Sequence, residues 1–322
     1  MDYLISILHY LYFPIYVITN SDSQYYWPTY VGAAVTAVVL YLVVNRRTRL
    51  SFKAATQLIL PHRKVRHPST VLDLKLFFVG SYYLLMQILL VGSLSLLTVP
   101  GTVAALNSIF GPTPAAHAPS YVITAITMVL VFTAIEFGYW TSHFMMHKIP
   151  ALWEFHKVHH SAEVLTPLTE WRQHPLEQAL FPILMGGASC LVQGPMVWYF
   201  GEQAQVVNPM TANYISLAFW FTILHLRHSE LPIYATGLLG HIIQAPAHHQ
   251  VHHSTNPKHF DKNLGYCLSV FDWLFGTLYV PKKGEKFSYG LGHKDSALET
   301  AIGSMIAPIS RALQIIVAPM RK

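Results

Sequence analysis

The chain alternates long apolar runs with short polar segments, and four or five of the runs approach the about 20 residues that a membrane-spanning helix needs. They cover Trp27 to Val44, Leu76 to Val99, Pro119 to Ile135, Gln178 to Gly201 and Gln203 to Leu226. Only Glu202 separates the last two, which predicts a spanning hairpin. The third run continues as helix through Glu136 towards His143. Tyr3 to Ile18 is apolar too, but Pro14 interrupts it, and its tyrosines suit a helix lying in the membrane interface.

Composition strengthens this pattern. Of 322 residues, 52% are hydrophobic and 11% charged, where an ordinary soluble domain carries about a quarter charged. A soluble enzyme, a disordered chain, collagen and a coiled coil are thereby excluded. Cys190 and Cys267 lie in apolar surroundings and cannot form a disulfide framework. The net charge of +6 could indicate a nucleic-acid partner, but the basic residues gather beside the apolar runs. They read as a membrane topology signal, with no nucleic acid involved.

Between Asn45 and Thr70 stand Arg46, Arg47, Arg49, Lys53, Arg63, Lys64 and Arg66, with no acid among them. This loop is therefore expected on the cytoplasmic side, and the uncharged Pro100 to Ser120 loop on the other. Threading the runs alternately puts Lys148 to Glu177, Arg227 to Tyr266 and the tail from Lys282 on the cytoplasmic face, of a bacterial inner membrane or the endoplasmic reticulum. The fold class expected is an all-α integral membrane protein, with four to five transmembrane helices and a cytosolic histidine-rich helical cap. Residues 1–118 would supply membrane helices and the basic loop, 119–281 the chemistry, and 282–322 a basic tail.

Histidine is over-used, with 19 in the chain, and 14 of them fall between His143 and His259. His143 and His147 are four apart on one helical face. His156, His159 and His160 stand at i, i+3 and i+4 in HKVHH, and His249, His252 and His253 repeat that spacing in HQVHH; each trio is expected to point at one centre. His228 joins them as a ninth candidate. Neutral imidazole is a common ligand of zinc, copper, iron and nickel, and this many ligands exceed one coordination sphere. Two ions with open positions would make a catalytic pair. All-imidazole ligation leaves a redox metal accessible to dioxygen, so iron is chemically sensible, and zinc would bind as a substitute.

Other polar residues have competing readings. His9, His62, His67, His117, His259 and His293 read as structural, and His174, His225, His241 and His248 as structural or supporting. Glu136 lies seven residues before His143 on nearly the same helix face. It could accept the second N–H of a ligating imidazole, or sit at the aqueous interface. Asp261 and Asn263, just after the last box, could support the site in the same way or simply form a turn.

HFMMH, HKVHH and HQVHH resemble the histidine boxes of the fatty acid hydroxylase, or sterol desaturase, superfamily of membrane di-iron oxygenases. LWEFHKVHHS, RQHPLE, HSELP and NLGYCLSVFDWLFGT extend the resemblance over about Glu136 to Val280. Phe144 stands where the family commonly has Arg, and Asp272 then Trp273 reverse its usual order. HSE and DKN look closer to the alkylglycerol monooxygenase branch and its bacterial relatives. The resemblance implies two iron ions, dioxygen as co-substrate, and hydroxylation of a C–H bond of a fatty acyl, sterol or alkylglycerol lipid, with desaturation as the nearest variant. There is no His-Pro-Gly-Gly haem segment, no G-x-G-x-x-G fingerprint opening a helix and no cysteine set for an iron–sulfur cluster, so a separate reductase, ferredoxin or cytochrome is implied. Two other classes compete. A metal transporter would carry its ligands near the bilayer midplane, whereas these follow helix ends, and a zinc hydrolase would be expected to show an H-E-x-x-H box.

Overall fold

The computed structural model describes residues 12–21, 23–44, 50–59, 61–114, 116–204 and 213–318. Among these residues the chain is helical, with no strand and two isolated backbone bridges, Ile243 to Leu268 and Ser254 to Tyr289. The helices are α1 (12–19), α2 (Trp27–Val44), α3 (Phe52–Ile59), α4 (His62–Val65), α5 (Pro68–Phe110), α6 (Ser120–Lys148), α7 (Pro150–His160), α8 (Pro175–Phe200), α9 (Tyr214–Thr222), α10 (Gly237–Ile242), α11 (Pro246–His252), α12 (Val270–Leu274) and α13 (Ala301–Val317).

Among the described residues, α5, α6 and α8 are long and apolar enough to cross a membrane; α2 and α13 are apolar but shorter. The chain is a membrane protein. Its α5 has 43 residues, or about 64 Å at 1.5 Å per residue, and starts eight residues before the expected Leu76. Its early turns can carry Asp73 because that carboxylate is buried against Arg172 Nη1 at 3.3 Å and accepts from Thr169 Oγ1 at 2.8 Å.

Packed between α5 and α6, α8 approaches both closely. A Cβ on Gly138 would lie 2.5 Å from the Leu184 carbonyl oxygen, and one on Gly194 would lie 2.6 Å from the Thr102 side chain. Small residues at such crossings let apolar helices gain van der Waals contact where lipid offers no hydrophobic driving force.

The expected Gln203 to Leu226 span is not a continuous helix. A 3₁₀ turn occupies Gly201–Ala204, and α9 starts afresh after Asn213, whose Oδ1 accepts from the Ile215 and Ser216 amides; it has nine residues and gives way to a second 3₁₀ turn at Leu224–Leu226. Residues 205–212 lie outside the described set, as do residues 3–11 of the expected interfacial helix and Arg46, Arg47 and Arg49 of the basic loop. Part of the run's apolarity serves interior packing: Phe219, Trp220 and Leu224 are buried with Phe132, Tyr266 and Cys267, whereas Tyr214, Ile215 and Phe221 face outward.

The segment expected as a basic tail also carries a packed helix. Leu298, just before α13, is buried with Val158 of α7 and with Leu72 and Leu76 of α5. His174 ties this corner together. Its Nδ1 accepts from the Leu176 amide and caps α8, while its Nε2–H donates to the Met305 carbonyl at 3.0 Å.

Candidate metal centre

Three helices deliver eight of the nine candidate histidines. His143 and His147 end α6, Ile149 breaks the helix, and Pro150 starts α7 with its ring at a position where no amide hydrogen is needed. From α7 come His156, His159 and His160, and from α11 with its C-cap come His249, His252 and His253. The ninth, His228, follows the 3₁₀ turn after α9.

Their nitrogens form two groups, each with its ligand atoms within 4.8 Å of one another: His143, His147, His156, His160 and His252 in one, and His159, His228, His249 and His253 in the other. The expectation that each HxxHH trio points at one centre is corrected. Each box divides, its i and i+4 residues entering one group and its i+3 residue the other. At about 100° per residue, i and i+4 differ by about 40°, whereas i+3 lies about 100° from i+4. The groups adjoin, with the rings of His160 and His253 4.6 Å apart between centroids.

Hydrogen bonds behind the rings fix several tautomers. Nδ1–H of His143 donates to the Leu264 carbonyl at 2.8 Å, that of His252 to Lys262 at 3.0 Å and that of His159 to Arg172 at 3.3 Å. Carboxylates receive three more: Glu177 from His156 and Glu170 from His228, both at 2.9 Å, and Asp261 from His147 at 3.3 Å. With Nδ1 protonated, Nε2 is left with a bare lone pair. The Nε2 atoms of His143 and His156 nevertheless face each other at 3.0 Å, and those of His159 and His228 at 3.1 Å. Neither pair can share a hydrogen bond, and a cation between the two lone pairs resolves the repulsion. Nε2 of His147 and of His252 are buried with no hydrogen-bond partner.

Burial, reinforced by neighbouring imidazoles, pushes His156, His160, His252 and His253 well below the ordinary histidine range. His159 and His249 are driven the same way, and His228 is lowered despite its bond to Glu170. Burial alone would raise Glu170, but the adjoining His228 and the nearby Arg227 hold it low. These rings are therefore neutral and available as ligands. His249 differs from the others: Nη2 of Arg227 donates to its Nδ1 at 3.1 Å, so in the metal-free form its Nε2 carries the proton and donates to Nε2 of His228 at 2.8 Å, and it becomes a ligand only when that proton is displaced. The Arg227 side chain is fully buried, bonded to the Tyr139 hydroxyl, with its guanidinium 5.0 Å from the Tyr266 ring centre.

The remaining sequence candidates divide. Asp261 meets an imidazole, that of His147, and also Lys148 Nζ. Glu136 does not: its buried carboxylate accepts from the Cys267 and Leu268 amides at 2.9 and 2.8 Å, fixing the loop rather than a ring. It is not at an aqueous interface either, being 1% exposed. Asn263 also touches no imidazole. Its φ is +58°, its amide N–H donates to the His248 and Tyr279 carbonyls, and its side-chain oxygen accepts from the Tyr279 amide. Thus it shapes the loop whose Lys262 and Leu264 carbonyls hold His252 and His143.

Glu170, Glu177 and Arg227 contact the cluster without standing out in the sequence. The available signal was a charged residue at the edge of an apolar run, as Glu177 is before Gln178. Asp272, one of the residues in reversed order, is buried and accepts from the Leu264 and Gly265 amides at 2.8 Å. Phe144 stacks against Trp140. His225 meets Thr29 Oγ1 at 2.7 Å and His248 bonds the Gly240 carbonyl, so both are buried outside the two groups.

Residues 128–277 match the family model described as fatty acid hydroxylase. This part of the chain is a fatty acid hydroxylase domain. Relatives align over about half of the chain. An alkylglycerol monooxygenase of Xenopus tropicalis is 32% identical over 173 residues, 54% of this chain and 34% of that protein. The ornithine lipid hydroxylase OlsE of Rhizobium tropici is 25% identical over 190 residues, 58% and 51%. A Delta(7)-sterol-C5(6)-desaturase of Nicotiana tabacum is 26% identical over 168 residues, 50% and 52%. The chain spans about a third of the length of the alkylglycerol monooxygenases it matches. No solved structure matches it. The domain contains all nine clustered histidines.

Proposed function

We propose that the fatty acid hydroxylase domain inserts one oxygen atom of dioxygen into a C–H bond of a membrane lipid, using two iron ions. His143, His147, His156, His160 and His252 would hold one ion, and His159, His228, His249 and His253 the other. The observation that carries this reading is the set of Nε2 lone pairs facing each other in both groups, with the opposite ring nitrogens committed to carbonyls and carboxylates. Bound there, iron supplies the oxygen activation needed to break an unactivated C–H bond. Zinc would occupy the same imidazoles but lacks the redox change.

The chain's own residues prepare the chemistry. Glu170, Glu177 and Asp261 orient three ligands and offset part of the cationic charge. Burial of the rings beneath α7, α11 and the 261–272 loop keeps bulk water from the reacting carbon. The groups lie at one end of the membrane-length α6 and α8, so a lipid tail can arrive from the bilayer while the head stays near the surface. Alkylglycerol monooxygenase and ornithine lipid hydroxylase, by their names, point to hydroxylation. The basic residues between Asn45 and Thr70 support a cytoplasmic face for the site and would attract an acidic electron-donor protein.

The decisive experiment supplies isotopically labelled dioxygen, a membrane lipid extract and a reducing system to the iron-loaded enzyme. One labelled oxygen at a former C–H carbon, or in an aldehyde released from it, is expected. An unlabelled new double bond would assign desaturation instead, and label taken only from water would overturn the oxygenase reading.

A further inference from the structure

The short helix α12 is inside out by the standards of a helix in water. Its acid, Asp272, is fully buried, while Trp273, Leu274 and the following Phe275 are 54%, 67% and 55% exposed. Beside it, α10 exposes Leu238, Leu239 and Ile242, and the ring of His241 meets Trp273 edge-on at 5.4 Å. An isolated exposed leucine is ordinary on a protein surface, but six large apolar side chains on two contacting elements form a patch that water does not favour.

This patch continues onto a membrane helix. On α6, the exposed residues Ile126, Leu130, Thr133 and Phe137 recur at i, i+4, i+7 and i+11, forming one outward stripe along a helix of membrane length. The stripe ends at the wedge: the Phe137 ring lies 5.4 Å from Phe271 and 6.4 Å from Phe275, and Phe275 stacks on Trp140 at 4.4 Å. Whatever solvates the outward face of α6 therefore also meets α12 and, through it, α10.

We propose that α10 and α12 form a wedge inserted into the acyl region of one leaflet, with the hydrocarbon tails of the lipid surface as its partner. The inward Asp272 then has a defined task. Its carboxylate is spent on the Leu264 and Gly265 amides, Thr277 Oγ1 and the Trp140 indole N–H, so the segment enters lipid with these donors satisfied. Leu264 is the residue whose carbonyl receives His143, and the wedge thus seats the loop behind the histidines at a fixed depth beside the span.

The test uses the full chain reconstituted in phosphatidylcholine vesicles, with a nitroxide on Leu274→Cys or Leu239→Cys. Leu97→Cys on the exposed face of α5 and the solvent-facing Lys294→Cys serve as references. Collisions with dissolved oxygen report hydrocarbon, and collisions with a water-soluble nickel chelate report water. The wedge positions should follow Leu97→Cys, with oxygen favoured severalfold over nickel. Nickel access equal to that at Lys294→Cys would overturn the proposal, as would shielding from both reagents, which would mean a protein covering. The two sites lie on separate helices, so failure of one variant to fold leaves the other to decide.

Discussion

His159 and His160 are neighbours in the chain yet belong to different groups, because about 100° of helical rotation separates them. Their alanine variants should consequently differ. His159→Ala should weaken the four-histidine group and His160→Ala the five-histidine group, each leaving one ion tightly held. Metal titration of the purified protein reads this as two distinguishable affinities, only one of which changes in each variant; loss of both ions from either would argue for a single merged centre. Glu170 acts on His228 from behind. Glu170→Ala should cost about 10- to 100-fold in metal affinity while the helical content holds, because the ring loses the partner that fixes its tautomer. The residue types were legible in the chain, but which carboxylate meets which imidazole was not. Glu136, the acid whose position along α6 suggested a ring partner, bonds the Cys267 and Leu268 amides instead.

At the scale of the elements, the crossing of α6 and α8 depends on a missing side chain. Gly138→Val would drive a Cβ to 2.5 Å from the Leu184 backbone oxygen, an overpacking that costs about 1–3 kcal/mol. Gly92→Ala meets nothing within 4 Å and should leave stability unchanged or slightly improved. Thermal unfolding in detergent should place Gly138→Val several degrees lower and Gly92→Ala at or above the parent; equal midpoints for Gly138→Val and the parent would show that the helices do not meet so closely. Apolar periodicity located α2 and α8 well, since a run of unbroken apolarity bounded by Pro or polar residues leaves few alternatives. It did not foresee that α9 is short within Gln203 to Leu226 and turns Phe219 and Trp220 inward. Mean hydropathy does not distinguish lipid from protein core, and the Asn213 cap that starts α9 is a local hydrogen bond inside an otherwise apolar run.

The whole molecule holds its imidazoles neutral, and this sets how the metal-free protein responds to pH. His156, His159, His160, His228, His249, His252 and His253 are all lowered by burial. In the unfolded chain they bind protons near pH 6.5, so below that value the unfolded state carries more protons than the folded one. Stability of the metal-free form is therefore present above about pH 6.5 and lost as pH falls. Its unfolding midpoint should drop between about pH 7 and about pH 5.5, and a constant or rising midpoint would contradict neutral burial. Topology can be tested with single cysteines at Thr113 and Lys294, which should be labelled from opposite sides of the membrane. Apolar run length and the helical repeat are local properties of the chain, and they alone were enough to read a helical membrane protein with eight histidines at ligand spacing in three boxes. That His252 joins His143 while His253 joins His159, and that Arg227 lies behind His249, follows from the packing of the folded chain. Those choices depend on how α6, α7 and α11 cross, and helix crossing is set by side-chain shape across contacts between segments far apart in the chain, such as that of His143 with His252, which no spacing along one chain records.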